Sequence, residues 1–280
     1  MGDFALDTAL TRIGDGEWSR VVHPDWVIWG PNGGYMAALA LRAAGEIAQR
    51  ARPANVTIHF LGVASLDEPV VITALPQRTA RNATSLRVDI AQSGKPMLAA
   101  MVWAVDTGLP GLRHGFAQPP DVPHWRDSPT VQERFAAAGL EYTSSYSFWN
   151  NFEQRPATWI ADWESREGLP AEYFEWLRFV PTSSFADPWL EAARLLLAVD
   201  LGGWPATCQH HNQNEYIAPN IDVSCEFHSL DATDWVLLHG RSEHAGDGLI
   251  ATRQEVWSDD GRLLAGGISH LLCKSVAPRG

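Results

Sequence analysis

The sequence predicts an α+β protein in which one unit, a helix wrapped by an antiparallel β-sheet, occurs twice. Each half of the chain contains a helix that is apolar on almost every face, from about Asn32 to Arg50 and from Asp187 to Asp200. Such helices, when shorter than the ~20 residues of a membrane span, belong inside a protein. Each one is followed by three strand-like runs, a glycine turn and a further strand. The shared order indicates an internal duplication.

The first repeat opens its helix at Gly33 and Gly34, just after Pro31, and Arg52-Pro53 marks the end of the helix. Apolar residues then recur with the alternation that is typical of strands, and Ser93-Gly94-Lys95 has the composition of a hairpin turn. The predicted strands are Val56–Leu61, Pro69–Leu75, Ser85–Ala91 and Met97–Val105.

The second repeat starts its helix with Asp187 as N-cap and Pro188 in the first turn. Gly261 lies in a turn that corresponds to the one at Gly94. The predicted strands are Ile221–Phe227, Trp235–His239, Ile250–Trp257 and Leu263–Cys273.

The segment between the two repeats is rich in proline and tryptophan and has no sustained period. Its length indicates a packed segment, with a short helix near Val131–Ala138 and a strand at Tyr173–Val180. We therefore expect an N-terminal repeat over residues 1–106, a connecting segment packed on the core over 107–184, and a C-terminal repeat over 185–280.

Composition describes a globular protein, with 45% hydrophobic and 19% charged residues. A net charge of −12 argues against a nucleic-acid partner, because phosphate binding depends on clustered Lys and Arg. The N-terminus lacks the pattern of a secretory signal, no stretch is typical of a membrane span, and three scattered cysteines indicate reduced thiols. A cytoplasmic location is the expectation.

The sequence lacks the motifs of several common classes of functional site. It has no phosphate-binding loop, no dinucleotide-binding fingerprint, no Gly-x-Ser-x-Gly nucleophile elbow and no His spacing typical of zinc sites. We therefore expect no organic cofactor and no metal.

One buried helix wrapped by a sheet is the plan of a hotdog fold, and two such units make a double hotdog. Four stretches resemble the acyl-CoA thioesterase II family of double-hotdog enzymes, which cleave fatty acyl-CoA to acid and free CoA. They are Gly33-Gly34-Tyr35-Met-Ala-Ala, Arg81–Arg87 with Gln92–Pro96, Leu196–Asp200 and Pro219–His228. The resemblance covers nearly the whole chain and implies an acyl-CoA substrate and a place in fatty acid metabolism.

The resemblance also implies a catalytic set of an Asp, a Thr or Ser, and a Gln that hold and activate water. The Asp corresponds to Asp200, whereas the hydroxyl position falls on Asn220 and the Gln position on Ser269. Two of the three positions therefore depart from the family. The hypothesis is that Asp200 activates water for attack on the thioester carbonyl, with Asn220 and Ser269 holding that water.

Asp200 also has an argument of its own, because it ends a buried helix where the negative end of the helix dipole disfavours a carboxylate. A raised pKa is expected for a partly buried acid there. At the other helix, the start at Gly33, Gly34 and Tyr35 presents unpaired N–H groups, which we expect to stabilise the oxyanion.

Arg81 and His270 complete the candidate substrate-binding residues. Arg81, with Arg78, Arg87 and Lys95, offers positive charge for the CoA phosphates in an acidic protein. His270 follows Ser269 on a strand, so the two side chains point to opposite faces and only one of them can line the site.

Two other functions stay open at this point. A hotdog enoyl-CoA hydratase or dehydratase would place His270 or His228 with Asp200 in one cavity. A non-catalytic double hotdog would bind acyl-CoA or a lipid without turning it over, which the departures at Asn220 and Ser269 would allow. Self-association into a homo-oligomer is a further expectation.

Overall fold

A twelve-stranded antiparallel sheet forms the frame of the molecule. The structure is a computed structural model that describes residues 1–144, 146–160, 169–211 and 216–276. The described strands are β1 (Thr11–Gly14), β2 (Glu17–Val21), β3 (Arg52–Phe60), β4 (Pro69–Thr79), β5 (Ala83–Gln92), β6 (Lys95–Val105), β7 (Phe152–Pro156), β8 (Glu172–Phe179), β9 (Tyr216–Ile217), β10 (Asn220–Phe227), β11 (Val236–Gly246), β12 (Leu249–Ser258), β13 (Leu263–Leu272) and β14 (Lys274–Ser275). β9 and β14 form a separate pair, and the other twelve strands form the large sheet.

The strand order of the large sheet is the same when it is taken from either edge. It is β1-β2-β4-β5-β6-β3 in the first half and, continuing, β10-β13-β12-β11-β8-β7 in the second. Each strand of one half therefore has a counterpart in the other, and the two halves meet where β3 pairs with β10. This arrangement confirms the predicted α+β class and the two repeats of a helix and its antiparallel sheet.

Residues from the predicted connecting segment enter the sheet. β7 and β8 pair with each other and β8 pairs with β11, so they occupy the positions that β1 and β2 occupy in the first half. The outer side of this hairpin packs a cluster of indoles from Trp125, Trp176, Trp235 and Trp257. The tryptophans of the segment thus attach it to the second sheet, which is the role that large aromatic side chains commonly have in a core.

Five α-helices are present in the described part of the chain: α1 (Phe4–Asp7), α2 (Gly33–Ala48), α3 (Val131–Ala137), α4 (Pro188–Leu201) and α5 (Gly203–His210). The central pair is α2 and α4. Asn32 caps α2 by accepting the Tyr35 N–H (2.9 Å), and Asp187 caps α4 by accepting the Trp189 N–H (2.8 Å). None of the helices in these described ranges has the length and apolarity of a membrane span.

The two central helices run antiparallel and touch at both ends. A Cβ on Gly34 would lie 2.8 Å from Leu197 Cα, near the end of α4, and one on Gly45 would lie 2.8 Å from the Trp189 ring, near its start. The alanines Ala37, Ala38 and Ala198 of these two helices are also fully buried. Small residues therefore permit the close approach, as a larger side chain would need space that a close-packed interior does not have.

We predict that Gly34→Ala lowers the free energy of unfolding by about 1–3 kcal/mol, the usual cost of overpacking a core. The added methyl would meet the α4 backbone at Leu197, which cannot rotate away. Urea denaturation measures the change. Gly111→Ala is the matched control, because a Cβ there meets nothing within 4 Å. Equal stability of the two variants would contradict the tight contact.

Candidate active site

The side chain of Asp200, in the last turn of α4, points at the first turn of α2. Its Oδ2 accepts the Gly34 backbone N–H (2.7 Å), and the Asn32 Nδ2 approaches the same oxygen at 3.5 Å. Its Oδ1 accepts from Asn220 Nδ2 (2.6 Å). Only 7% of Asp200 is exposed. The carboxylate is therefore held by three donors from two segments of the chain, the start of α2 and the start of β10.

The helix geometry explains why an acid is tolerated in this position. The carboxylate lies at the negative end of its own helix, α4, but it also lies at the positive end of α2, whose free N–H groups attract anions. Glycine makes this approach possible, since a Cβ on Gly33 would lie 3.2 Å from both Asp200 carboxylate oxygens and 3.0 Å from Phe60 Cζ. The Gly-Gly pair thus serves to admit the carboxylate.

Asn220, the first residue of β10, fixes the other side of Asp200. Its Nδ2 donates to the Asp200 backbone carbonyl (3.0 Å) as well as to Oδ1 of the carboxylate. Within the described ranges its Oδ1 accepts no hydrogen bond, and the residue is half-buried. An acceptor next to the carboxylate is therefore available to a water molecule or a substrate.

Burial raises the pKa of Asp200 from 3.8 to about 6. Loss of solvent around the charged form is the largest cause, and the hydrogen bonds from Asn220, Gly34 and Asn32 act in the opposite direction. The group is consequently ionised at neutral pH but is a much better proton acceptor than an ordinary aspartate. The raised pKa expected from the sequence is present.

The predicted oxyanion donors differ in what they bind. The Gly34 N–H donates to Asp200 and the Tyr35 N–H donates to Asn32 Oδ1, so neither is free. Gly33 N–H, at the first position of α2, has no acceptor among the residues that the structure describes. Of the three predicted donors, only Gly33 remains available for a substrate oxygen.

Ser269 is fully buried and lies in a separate polar cluster with two residues of the neighbouring strand β12. Its Oγ lies 2.8 Å from Thr252 Oγ1 and accepts from Gln254 Nε2 (3.2 Å), which also donates to Thr252 Oγ1 (2.6 Å). A Cβ on Gly203 would lie 2.9 Å from Thr252 Oγ1, so the cluster sits beneath the start of α5. No hydrogen bond joins Ser269 to Asp200 or Asn220 in the described structure.

His270 points away from the helices, as strand alternation requires. Its Nδ1 lies 3.0 Å from both carboxylate oxygens of Asp222, which pairs with it across β10 and β13 on the outer face of the sheet. His228 is exposed and also lies near that face, beside Gly266. The hydratase alternative requires a histidine in the same cavity as Asp200. The structure brings neither His270 nor His228 to Asp200.

Arg81 lies in the β4–β5 hairpin, at the wrong end of the sheet for a role beside Asp200. The neighbouring Ala83 pairs with Val105, and Val105 pairs with Arg52 at the start of β3. The candidate site lies at the other end of β3, where Phe60 approaches Gly33. Eight residue steps of strand separate these ends, about 25 Å. The exposed Arg81 is thus not brought to the candidate site.

Asn32, Thr252 and Gln254 are hydrogen-bond partners of the predicted residues that the sequence analysis missed. Asn32 has a local signal, because an Asn directly before a glycine-rich helix start is a typical N-cap. Thr252 and Gln254 share one face of β12 at a spacing of two residues, but only the pairing of Thr252 with Ser269 brings them to this cluster. The register of this strand pair is set by the tertiary structure and cannot be predicted from strand periodicity alone.

The duplicated counterpart of this junction is filled by an indole. Where α2 ends and α4 begins, the Trp189 ring packs over Gly45 and its Nε1 donates to the Arg50 carbonyl (3.3 Å). The two-fold arrangement of helices therefore contains one carboxylate junction and one closed junction. Within the described ranges, the two helix junctions therefore offer one candidate site.

Comparison with known proteins agrees with this architecture. A family model for the acyl-CoA thioesterase N-terminal domain matches residues 22–105, and one for the acyl-CoA thioesterase C-terminal domain matches residues 114–268. The fold is thus that of a double hotdog, and the class of protein is a thioester hydrolase. The chain belongs to the acyl-CoA thioesterase family. No curated protein matches its sequence.

Solved structures share the fold at low sequence identity. A thioesterase II homologue from Thermobifida fusca is 17% identical with a TM-score of 0.80, over 98% of both chains. An acyl-CoA thioesterase II from Mycobacterium marinum is 18% identical with a TM-score of 0.79, over 98% of this chain and 99% of its own. A hot dog protein of unknown function from Alicyclobacillus acidocaldarius is 22% identical with a TM-score of 0.77, over 98% of both.

We predict that Asn220→Ala raises the pKa of Asp200 above its value of about 6, because the side-chain donor that most favours the ionised form is lost. Carbon-13 NMR of the labelled aspartate carboxyl groups measures this pKa without any need for activity. Ser224→Ala, on the same strand but on its outer face, is the control and leaves the pKa unchanged. A pKa unaffected by Asn220→Ala would contradict the hydrogen bond to Oδ1.

Proposed function

We propose that this protein hydrolyses acyl-CoA to free acid and CoA, with Asp200 as the general base that activates water. The observation that carries the proposal is the buried Asp200 carboxylate, with a pKa of about 6, held between Gly34 and Asn220 at the helix junction. A base whose pKa lies just below neutral is both ionised and basic enough to accept a proton at neutral pH. The same proposal places the protein in fatty acid metabolism.

The attack can be assigned to atoms of the site. Water donates one hydrogen bond to Asp200 and the other to Asn220 Oδ1, which has no other donor in the described ranges. Asp200 takes the proton as the water oxygen bonds to the thioester carbon. The carbonyl oxygen becomes an oxyanion, and the Gly33 N–H at the positive end of α2 stabilises that charge.

Collapse of the tetrahedral intermediate breaks the C–S bond and releases the acid. CoA leaves as a thiolate, a stable leaving group because an ordinary thiol has a pKa of about 8.5. The proton held by Asp200 passes to the thiolate or to solvent, which restores the base. Ser269, Thr252 and Gln254 hydrogen-bond to one another beneath the start of α5, so we assign them no contact with the attacking water.

We predict that Asp200→Asn lowers kcat for acyl-CoA hydrolysis by about 10²–10⁴-fold, the usual contribution of a general base. Release of free CoA thiol measures the rate. Asp222→Asn, which changes a carboxylate on the outer face of the sheet, is the matched control and keeps wild-type turnover. Hydrolysis that survives in folded Asp200→Asn would overturn the assignment of the base.

We predict that kcat/KM falls about tenfold for each pH unit below about 6 and is constant from pH 7 to 8. The sign follows from the mechanism, since only ionised Asp200 accepts the proton and its pKa is raised to about 6 by burial. A pH profile of CoA release provides the test. A limb near pH 4, the range of an unperturbed aspartate, would be inconsistent with Asp200 as the base.

A further inference from the structure

Two tryptophans from opposite halves of the chain touch beside the candidate site. Trp29 precedes the α2 cap Asn32 by three residues, and Trp204 follows Asp200 by four and lies in the first turn of α5. Their ring centroids are 6.1 Å apart in an edge-to-face arrangement. The pair therefore joins the two segments that converge on the Asp200 carboxylate.

Both rings are held firmly, yet one of them is open to solvent. Trp204 packs on the apolar cluster of Ala218, Ile250 and Leu271. Trp29 is at the tip of a tight turn, closed by a Val27–Pro31 bridge and by the Asn32 N–H donating to the Trp26 carbonyl (2.8 Å). Despite this, 43% of Trp29 is exposed. The turn thus presents an indole face that the described residues leave partly uncovered.

The apolar surface continues from Trp29 onto the loop that follows β3. A Cβ on Gly30 would lie 2.7 Å from Val63 Cγ1, so the turn rests on this loop. Val63 is 72% exposed and Leu61 is 53% exposed. At the base of the loop, Phe60 approaches Gly33 and so reaches the helix start that binds Asp200. Exposed apolar groups on a loop that reaches the candidate site offer a surface on which an apolar ligand can bind.

The loop is a fixed structure. Buried Gln92 accepts the Ser65 N–H at its Oε1 (2.7 Å) and donates from Nε2 to the carbonyls of Ser65 (3.0 Å) and Glu68 (2.7 Å). One amide thereby fixes the loop from inside. The exposure of Leu61 and Val63 is consequently a property of the native fold.

We propose that Trp29, Trp204, Leu61 and Val63 form the docking surface for the acyl chain and that the tryptophan pair sets the preference for chain length. The inference rests on the proposed function. Its occupant follows from chemistry: the acyl chain is the long apolar part of an acyl-CoA, its carbonyl carbon has to reach Asp200, and the four side chains of the surface are all apolar. Each methylene group buried there strengthens binding by about fourfold, the equivalent of ~0.8 kcal/mol.

The test compares binding of S-ethyl-CoA and S-decyl-CoA, thioethers that the enzyme cannot hydrolyse, by isothermal titration calorimetry. Trp29→Ala and Trp204→Phe are the variants, the second keeping an aromatic ring on the Ala218 cluster so that folding is preserved. We expect Trp29→Ala to weaken S-decyl-CoA binding about tenfold and S-ethyl-CoA binding less than twofold. Trp204→Phe gives a smaller loss with the same dependence on length.

Trp103→Ala is the matched control, because Trp103 is 40% exposed but lies on the outer face of β6. It leaves both affinities unchanged. Equal losses for the two thioethers in Trp29→Ala would mean that the rings touch the pantetheine arm and would overturn the proposal, as would no loss at all. A length-dependent loss in a protein that hydrolyses no acyl-CoA would uphold the docking surface and refute the catalytic proposal instead.

Discussion

The contact between the start of α2 and the end of α4 is the constraint on which the rest of the site depends. Gly34 is close enough to Leu197 and Asp200 for its N–H to donate to the carboxylate at 2.7 Å. That distance exists only because neither Gly33 nor Gly34 carries a side chain. The same contact aligns the positive end of one helix with an acid at the negative end of the other, so that packing and electrostatics act on one group. Burial then raises the pKa of this acid toward neutrality.

Duplication of the helix-and-sheet unit explains why this junction exists. Differences between the two repeats explain why one of the two described helix junctions holds a carboxylate and the other does not. Two antiparallel helices in a two-fold arrangement create two head-to-tail contacts. At one of them the sequence places Gly33, Gly34 and Asp200, and at the other it places Gly45 and Trp189. The indole fills the second junction and bonds to the Arg50 carbonyl. The two junctions therefore differ, one holding the candidate carboxylate and the other an indole, while the sheet order is symmetric.

Much of the fold was predictable from the sequence because its signals are local. Apolar helices, alternating strands and the turns at Gly94 and Gly261 follow from periodicity and backbone preference. β8 was predicted as the strand Tyr173–Val180, but β7 and the relation of this hairpin to β1 and β2 were not, since proline and mixed composition obscured them. In the site, Asp200 and Asn220 lie together as the sequence hypothesis requires. Ser269, Arg81 and His270 do not join them, because strand register and sheet ends are set by tertiary pairing.

The central claim is that water activated by Asp200 attacks the thioester directly. The most direct test follows the transfer of oxygen from water into the released acid during a single turnover. Excess enzyme would hydrolyse one equivalent of acyl-CoA in ¹⁸O-labelled water, and mass spectrometry would locate the label. Direct attack predicts one ¹⁸O atom in the released acid and none in the protein. If Asp200 instead formed an acyl anhydride that water opened at the Asp200 carbonyl, the first acid released would carry ¹⁶O and the peptide containing Asp200 would carry ¹⁸O. That second pattern would contradict the role of Asp200 as a base.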